Sequence, residues 1–368
     1  MEGRPLRLMF AGGGTGGHLY PALAIADELR RRHEDAVIEF IGTRGKIESR
    51  VVPERGYPFF TIWISGLRRR VSAATALFPI KLAVALMQSA LLVLRRKPDV
   101  VIGTGGYVCG PVVAAAQFLG RRTLLQEQNS VPGATTKLLA RRADEVHVAF
   151  PRTAEQLARK DNVHLTGNPT AQSLGTVSRA DGARYFGLDP ARKTLLVFGG
   201  SRGAASINAA VGPIAPRLAG EGMQLVWQTG DEGFEEHRRA CEALARSVKL
   251  YRFIDNMAYA YAACDLAVCR SGASSLAELT VTGVPSILIP YPYAAADHQT
   301  ENAKAMVEAG AGILIPDADA AALLPDAISG LLRDSARLGA MGNAARLLGK
   351  PGAASALADA VERLAQAQ

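Results

Sequence analysis

Three stretches of this chain join glycine to hydroxyl, imidazole or carboxylate side chains in a way that suits anion and proton-transfer chemistry. The first is Gly12-Gly13-Gly14-Thr15-Gly16-Gly17-His18, directly after the apolar run 6–11. The second is Gly199-Gly200-Ser201-Arg202-Gly203-Ala204, directly after residues 194–198. The third is Arg270-Ser271-Gly272-Ala273-Ser274-Ser275-Leu276-Ala277-Glu278, after residues 266–269. Glycine lets backbone approach a ligand closely, and an opening helix presents unpaired N–H groups and a partial positive charge. In the third stretch, free amides with Ser274 and Ser275 can cradle a diphosphate without a metal. Glu278, one helical turn further in, can accept both hydroxyls of a ribose. The competing reading is a capped helix with a solvated glutamate. His18 stands at a helix N-terminus, where the helix charge favours the neutral imidazole, and such a group can take a proton from a hydroxyl nucleophile. The competing reading is a capping or packing histidine.

Other polar groups fall at helix starts. Asp297, Gln299 and Asn302 suit sugar hydroxyls, with capping as the alternative. Asp317-Ala318-Asp319 has the form of an Asp-x-Asp metal clamp, but its place at a helix start after Pro316 favours capping. No His/Cys/Asp cluster at ligand spacing appears, so no metal is expected to be required. Gly12-x-Gly14-x-x-Gly17 also satisfies the dinucleotide fingerprint in form. Its acidic partner should close the second strand, yet Glu39 lies inside that strand.

These groups need strands and helices to hold them. Apolar runs at 37–41, 100–102, 123–126 and 146–149 alternate with helical stretches such as 21–31. The scheme recurs at 195–198, 224–228, 250–253, 266–269, 286–290 and 312–315. Alternation of this kind predicts parallel sheets with crossover helices in two domains. A polar stretch at 169–193 reads as the linker, and 353–368 as an alanine-rich helix.

The chain has 368 residues, 48% hydrophobic and 21% charged, enough for sizeable cores. Net charge is +8, which favours an anionic partner: a nucleotide diphosphate, an acidic membrane surface or nucleic acid. With no long Lys/Arg block and no interleaved aromatics, nucleic acid is the weakest of the three. Four cysteines without a C-x-x-C predict buried free thiols in a reducing compartment. The first strand starts within a few residues of Met1, so no signal peptide is expected and the cytoplasm is the expected location. Residues 73–94 are mostly apolar between Arg68-Arg69-Arg70 and Arg95-Arg96-Lys97. Pro79, Lys81 and Gln88 interrupt the run, which argues against a membrane span. A buried helix and an apolar patch touching an anionic bilayer remain as alternatives.

Seven ordered motifs carry a family resemblance: Gly-Gly-Thr-Gly-Gly-His (13–18), Gly-Thr-Gly-Gly-Tyr-Val-x-Gly-Pro (103–111), Glu-Gln-Asn (127–129), Gly-Asn-Pro (167–169), Gly-Gly-Ser-x-Gly-Ala (199–204), Phe-Ile-Asp-Asn-Met (253–257) and Cys-Arg-Ser-Gly-Ala (269–273). Together they resemble the MurG family of glycosyltransferases, family 28. The resemblance implies the GT-B fold: two Rossmann-like α/β domains whose parallel sheets face an interdomain cleft. Residues 1–168 with 350–368 would form the acceptor and membrane domain, and 194–349 the UDP-GlcNAc domain. The implied reaction is inverting transfer of GlcNAc from UDP-GlcNAc to the C4 hydroxyl of MurNAc in lipid I, forming lipid II. The implied location is peripheral, on the cytoplasmic face of the plasma membrane, with no cofactor.

By the same resemblance, Glu278 holds the uridine ribose, the helix start Gly272, Ala273, Ser274 and Ser275 holds the diphosphate, and Leu276 and Ala277 also belong to the donor site. Ile254 reads uracil through its backbone, while Gln299 and Asn302 hold GlcNAc hydroxyls. Thr15, Gly16, Gly17, Asn129 and Ser201 complete the donor side. Gly14, Gly105, Gly106 and Tyr107 face the acceptor, and residues 77–94 touch the membrane. His18 is the first candidate for general base and Glu127 the second. Family members often carry an arginine shortly after Gly-Asn-Pro. Here none occurs before Arg179, which leaves Arg202 or helix amides to neutralise the diphosphate. The rivals are a UDP-sugar epimerase, a nicotinamide dehydrogenase resting on the first glycine loop, and a non-enzymatic nucleotide-switched scaffold at the membrane.

Overall fold

The computed structural model describes residues 4–66, 77–200 and 203–367. Two compact units result, Met1–Thr170 with Pro351–Gln368 and Ala171–Lys350. Ser201, Arg202 and the Arg68–Arg70 cluster lie outside the described residues.

The first unit holds seven parallel strands: β1 (Arg7–Gly12), β2 (Val37–Gly42), β3 (Phe59–Thr61), β4 (Val100–Gly105), β5 (Arg122–Glu127), β6 (Glu145–Val148) and β7 (Val163–Leu165). Their spatial order is β3-β2-β1-β4-β5-β6-β7. Side chains alternate across a strand, so Leu8 and Phe10 of β1 point to one face and Met9 and Ala11 to the other. Both faces are covered, which explains the unbroken apolar run. Leu8 and Phe10 join helix Gly16–Arg32 and the C-terminal helix Ala353–Gln366 in one core. Met9 and Ala11 join helices Phe78–Arg96 and Cys109–Phe118 in the other. Phe10 sits opposite Phe40, with ring centroids 5.0 Å apart. Burying an aromatic or leucine side chain of this kind contributes about 1.5–3 kcal/mol.

The C-terminal helix presents Leu357, Val361 and Leu364 at helical spacing to that core. Arg32 fastens it from outside, donating to Asp359 (2.5 Å), the Ser355 hydroxyl (2.7 Å) and, on its own helix, Glu28 (2.7 Å).

The second unit holds β8 (Thr194–Phe198), β9 (Gln224–Gln228), β10 (Val248–Tyr251), β11 (Leu266–Cys269), β12 (Ser286–Leu288) and β13 (Gly312–Leu314), all parallel, in the order β10-β9-β8-β11-β12-β13. Its core centres on buried Trp227, whose indole N–H donates to Asn208 Oδ1 at 3.0 Å. In each sheet the chain order reverses once, between β1 and β4 and between β8 and β11. Ligands of open parallel sheets bind beyond the carboxyl ends of strands at such a reversal. The glycine-rich turns follow β1, β4, β8 and β11.

Several elements depart from the sequence reading. β10 lies at Val248–Tyr251, not 250–253, because the ladder to β9 ends where the Ile254 N–H turns to Gln228 Oε1 (2.8 Å). β3 and β7 were not expected; each is a three-residue edge strand, too short to show alternation. The polar stretch 169–193 contains helix Arg179–Phe186, capped by Ser178 and closed by Gly187 at φ 62°. That helix packs on helix Met257–Ala263, with Tyr185 stacked on Tyr259 at 4.6 Å.

Helix Phe78–Arg96 is long and apolar enough to cross a membrane by length and composition. It buries Ala85, Ser89 and Val93 against the first unit and exposes Ile80, Met87, Leu91 and Leu94, with Leu77 exposed just before its start. Its two polar interruptions serve packing. Gln88 accepts from the Trp63 N–H (2.8 Å), and Lys81 donates to Ser65 (3.2 Å).

Candidate functional site

The first unit gathers its polar groups past the ends of β1, β4 and β5. Helix Gly16–Arg32 starts at Thr15, whose extended backbone occupies the cap position while its hydroxyl makes no cap bond. No acidic residue lies in the first turn. An absent cap leaves about 1 kcal/mol of helix stabilisation unrealised. It also leaves first-turn amides open to an anion.

His18 stands in that first turn, with Nδ1 2.9 Å from Gln128 Oε1. Its ring lies against the Gly105-Gly106 turn. A Cβ on Gly105 (φ 99°) would come within 2.7 Å of Nδ1, and one on Gly106 (φ 79°) within 2.4 Å of the Gly13 carbonyl. These two glycines are therefore required to seat the imidazole and the loop, whatever else they contact. Thr104 donates to the His18 carbonyl at 2.8 Å and holds the helix start onto β4.

Buried Glu48, which the sequence reading missed, braces the first loop from below. It accepts from the Gly14 N–H (2.9 Å) and from the Thr43 N–H (3.2 Å) and hydroxyl (3.0 Å). The Gly14 N–H is thus already donated within the fold. The Thr43 hydroxyl also meets the Tyr107 hydroxyl at 3.1 Å, so Tyr107 stays beside the loop.

Glu127 braces a neighbouring loop. It is buried, and its carboxylate accepts from the Asn129 N–H (3.2 Å) and amide (3.3 Å), the Gly133 N–H (3.1 Å) and the Thr136 hydroxyl (2.6 Å). Both oxygens are engaged in folding loop 129–136. Asn129 in turn spends its side chain on Glu127.

In the second unit, helix Ala273–Thr282 begins after Gly272 with no side-chain cap and no acidic residue in its first turn. The Ser274 hydroxyl is buried without a hydrogen-bond partner among the described residues. An unpaired buried hydroxyl costs roughly 1–3 kcal/mol, and a ligand oxygen at this helix start would remove that cost. Ser275, Ala277 and Glu278 are half-buried, while Ala273 and Leu276 are buried. Burial pushes the Glu278 carboxyl up to about 7, opposed by the Tyr261 hydroxyl donating at 2.8 Å. Tyr261 was not read from the sequence.

Ile254 is buried and gives its N–H to Gln228, whose own amide donates to the Gly200 carbonyl at 2.8 Å. Only its carbonyl is left for a base edge. Ser271 donates to the Gln299 carbonyl (2.8 Å), and Asn302, fully buried, donates to the Ser271 carbonyl (3.2 Å). Asn302 therefore anchors the turn before the helix rather than opening onto a sugar. Gln299 Oε1 accepts from the Tyr291 N–H at 2.9 Å. Asp297 stands in a left-handed conformation (φ 52°) and accepts from Thr300 (2.7 Å) instead of capping an amide.

Asp317 is corrected as well. It does not cap; it accepts from Ser206 (2.5 Å) and pairs with Arg270. That ion pair occupies both the cation beside the turn and the first carboxylate of the Asp-x-Asp sequence. No group of three or more His, Cys, Asp or Glu side chains arranged for a metal occurs among the described residues. All four cysteines are buried and free, and burial pushes the Cys109 thiol up to about 12.

Two parallel-sheet units of Rossmann strand order, each opening uncapped helices at its strand reversal, define an α/β protein of the GT-B class. The crystal structure of MurG from Acinetobacter baumannii matches at TM-score 0.77 and 28% identity, covering 98% of this chain and 100% of that one. The calicheamicin glycosyltransferase CalG4 shares the fold at TM-score 0.67 and 17% identity, covering 98% of each chain. The glycosyltransferase family 28 N-terminal domain matches residues 8–148, and the C-terminal domain of that family residues 194–364. A relative from Chlorobaculum tepidum is 48% identical over 318 residues, covering 85% of this chain and 86% of its own length. It is named UDP-N-acetylglucosamine–N-acetylmuramyl-(pentapeptide) pyrophosphoryl-undecaprenol N-acetylglucosamine transferase. The chain belongs to glycosyltransferase family 28, within its MurG branch.

Removing one acceptor from the Glu127 brace tests its assignment. Glu127→Gln is expected to lose about 1–3 kcal/mol of stability in thermal unfolding while keeping kcat within a few-fold. A kcat loss of roughly 10²-fold or more at unchanged stability would support Glu127 as a base.

Proposed function

We propose that this chain transfers N-acetylglucosamine from UDP-N-acetylglucosamine to the C4 hydroxyl of the N-acetylmuramyl sugar of lipid I, with inversion, giving lipid II. The second unit binds the donor and the first unit the acceptor. The observation that carries the donor assignment is the buried Ser274 hydroxyl, unpartnered among the described residues, at an uncapped helix start one turn from Glu278.

In this reading the Glu278 carboxylate accepts the ribose hydroxyls, and the Ile254 carbonyl accepts the uracil N3–H. The amides of Ala273, Ser274 and Ser275 take the diphosphate, with the serine hydroxyls. Gln299 contacts the GlcNAc hydroxyls, and Asn302 acts through the Ser271 turn. As the glycosidic bond to UDP breaks, negative charge develops on the leaving diphosphate. Fixed amides and hydroxyls stabilise it without reorganising. Arg270 is held by Asp317, which leaves the helix amides or Arg202 to do the work of the arginine absent after Gly-Asn-Pro. No metal is needed for it. His18 Nε2 removes the proton of the acceptor hydroxyl as its oxygen attacks the anomeric carbon. Thr15, Gly16 and Gly17 supply amides for a second phosphate-bearing group.

The chain works as a peripheral protein on the cytoplasmic face of the membrane. Exposed Ile80, Met87, Leu91 and Leu94 on one helix and Leu77 just before it, with a net charge of +8, support binding to an anionic lipid surface.

Transfer of radiolabelled GlcNAc to a lipid I analogue tests the reaction. Wild-type turnover is expected to persist with a chelator present. His18→Ala should lower kcat by roughly 10²–10⁴-fold with little change in donor KM, and Glu278→Ala should mainly raise donor KM. Absence of any transfer by the wild-type protein overturns the proposal.

The Glu278 carboxyl adds a pH dependence. Ribose hydroxyls donate to the ionised form, so donor binding lowers its pKa and expels a proton. Affinity for UDP-GlcNAc, measured by calorimetry, is expected to weaken as pH falls through about 7, approaching tenfold per pH unit. Glu278→Gln should abolish the slope. A flat wild-type profile between pH 6 and 8 contradicts the role.

A further inference from the structure

His18 has two ring nitrogens, and only one bearing a lone pair can accept a proton. Which one is bare depends on the partner of the other. That partner is Gln128, which is 1% exposed and follows directly on β5. A carboxamide can point either end at a histidine, so its own neighbours must decide. Gln128 Nε2 lies 2.7 Å from the Thr104 carbonyl and 3.1 Å from the Gln126 carbonyl, and it also meets the Gln126 side-chain oxygen. All three are acceptors. Reversing the amide would bury one oxygen against three others. The Gln126 Nε2 faces Asn168 Oδ1 at 3.4 Å. Gln126 and Asn168 are both buried.

Two of those acceptors are backbone carbonyls, which cannot reverse, so Gln128 presents its oxygen to His18. An amide oxygen only accepts, so Nδ1 must be the N–H donor at 2.9 Å. Nε2 then carries the lone pair and has no hydrogen-bond partner among the described residues. Free histidine in water prefers the opposite tautomer, with the proton on Nε2. The Gly105-Gly106 turn keeps the ring from rotating away, since backbone packs against its Nδ1 and Cδ2 edges.

We propose that Gln128 is the positioning residue of the His18 base. It fixes the Nδ1–H tautomer so that Nε2 is the proton acceptor. This rests on the reading of His18 as general base. It also gives a role to Gln128, which touches no substrate in the reading above. An imidazole held in the wrong tautomer cannot take the proton, and base catalysis of this kind is worth roughly 10²–10⁴-fold.

The test is long-range ¹H–¹⁵N NMR of the full-length protein labelled at histidine, near pH 8, with His18 assigned by loss of its signal in His18→Asn. The wild-type ring is expected in the Nδ1–H tautomer. Gln128→Met, which keeps side-chain length and removes the acceptor, should move it toward Nε2–H. kcat should fall roughly 10²-fold, with KM for UDP-GlcNAc within about twofold. If the wild-type ring carries its proton on Nε2, the proposal is overturned, and His18→Ala kinetics still judge the base. If Gln128→Met switches the tautomer and leaves kcat unchanged, His18 is not the base. If Gln128→Met does not fold, the wild-type tautomer alone decides.

Discussion

The arrangement depends on two helices that begin at the strand reversals behind glycine-rich turns, with their first-turn amides open. Helices Gly16–Arg32 and Ala273–Thr282 each open at a strand reversal with no side-chain cap bond and no acidic first-turn residue. A cap at each would add about 1 kcal/mol of helix stability but would occupy the amides that an anion needs. Glycine at the turns is the counterpart of this choice. It brings backbone within reach of a ligand and, at Gly105 and Gly106, makes room for the imidazole.

What surrounds these openings is a set of buried polar struts, each with its hydrogen-bonding groups committed to neighbouring loops. Glu48 holds the first loop and Glu127 holds loop 129–136. Gln128 and Gln228 occupy matching places, just past β5 and at the end of β9. Each sends its amide N–H to a backbone carbonyl and offers its oxygen to a functional element, His18 in one unit and Ile254 in the other. A buried carboxylate or carboxamide is costly unless its polar atoms are paired, and these are paired across segments far apart in sequence. The struts thereby fix the loops without regular secondary structure.

Much of this is written plainly in the sequence, and some is not. The apolar runs of β1, β8 and β11 and the glycine turns after them locate both helix openings, because parallel strands covered on both faces leave unbroken hydrophobic runs. Strands β3 and β7 escape notice because three residues carry no period. The loop brace made by Glu127 is hidden for another reason: a carboxylate in a motif looks the same whether it faces a substrate or four backbone and side-chain donors. Asp317 shows the same limit, since its partner Arg270 lies 47 positions away. Tyr261, Glu48 and Gln228 gave no signal, because their value comes only from what they meet in space. Gln128 did lie within a recognised motif, yet spacing alone does not tell which atom its oxygen faces.

The assignment of the donor to the second unit is tested most directly by a crystal structure with UDP bound. The uridine ribose is expected on the Glu278 carboxylate, the diphosphate at the Gly272–Ser275 helix start within reach of the Ser274 hydroxyl, and the uracil at the Ile254 carbonyl. Nucleotide phosphates seated instead on the Gly12–Gly17 loop, with Glu278 untouched, would contradict it.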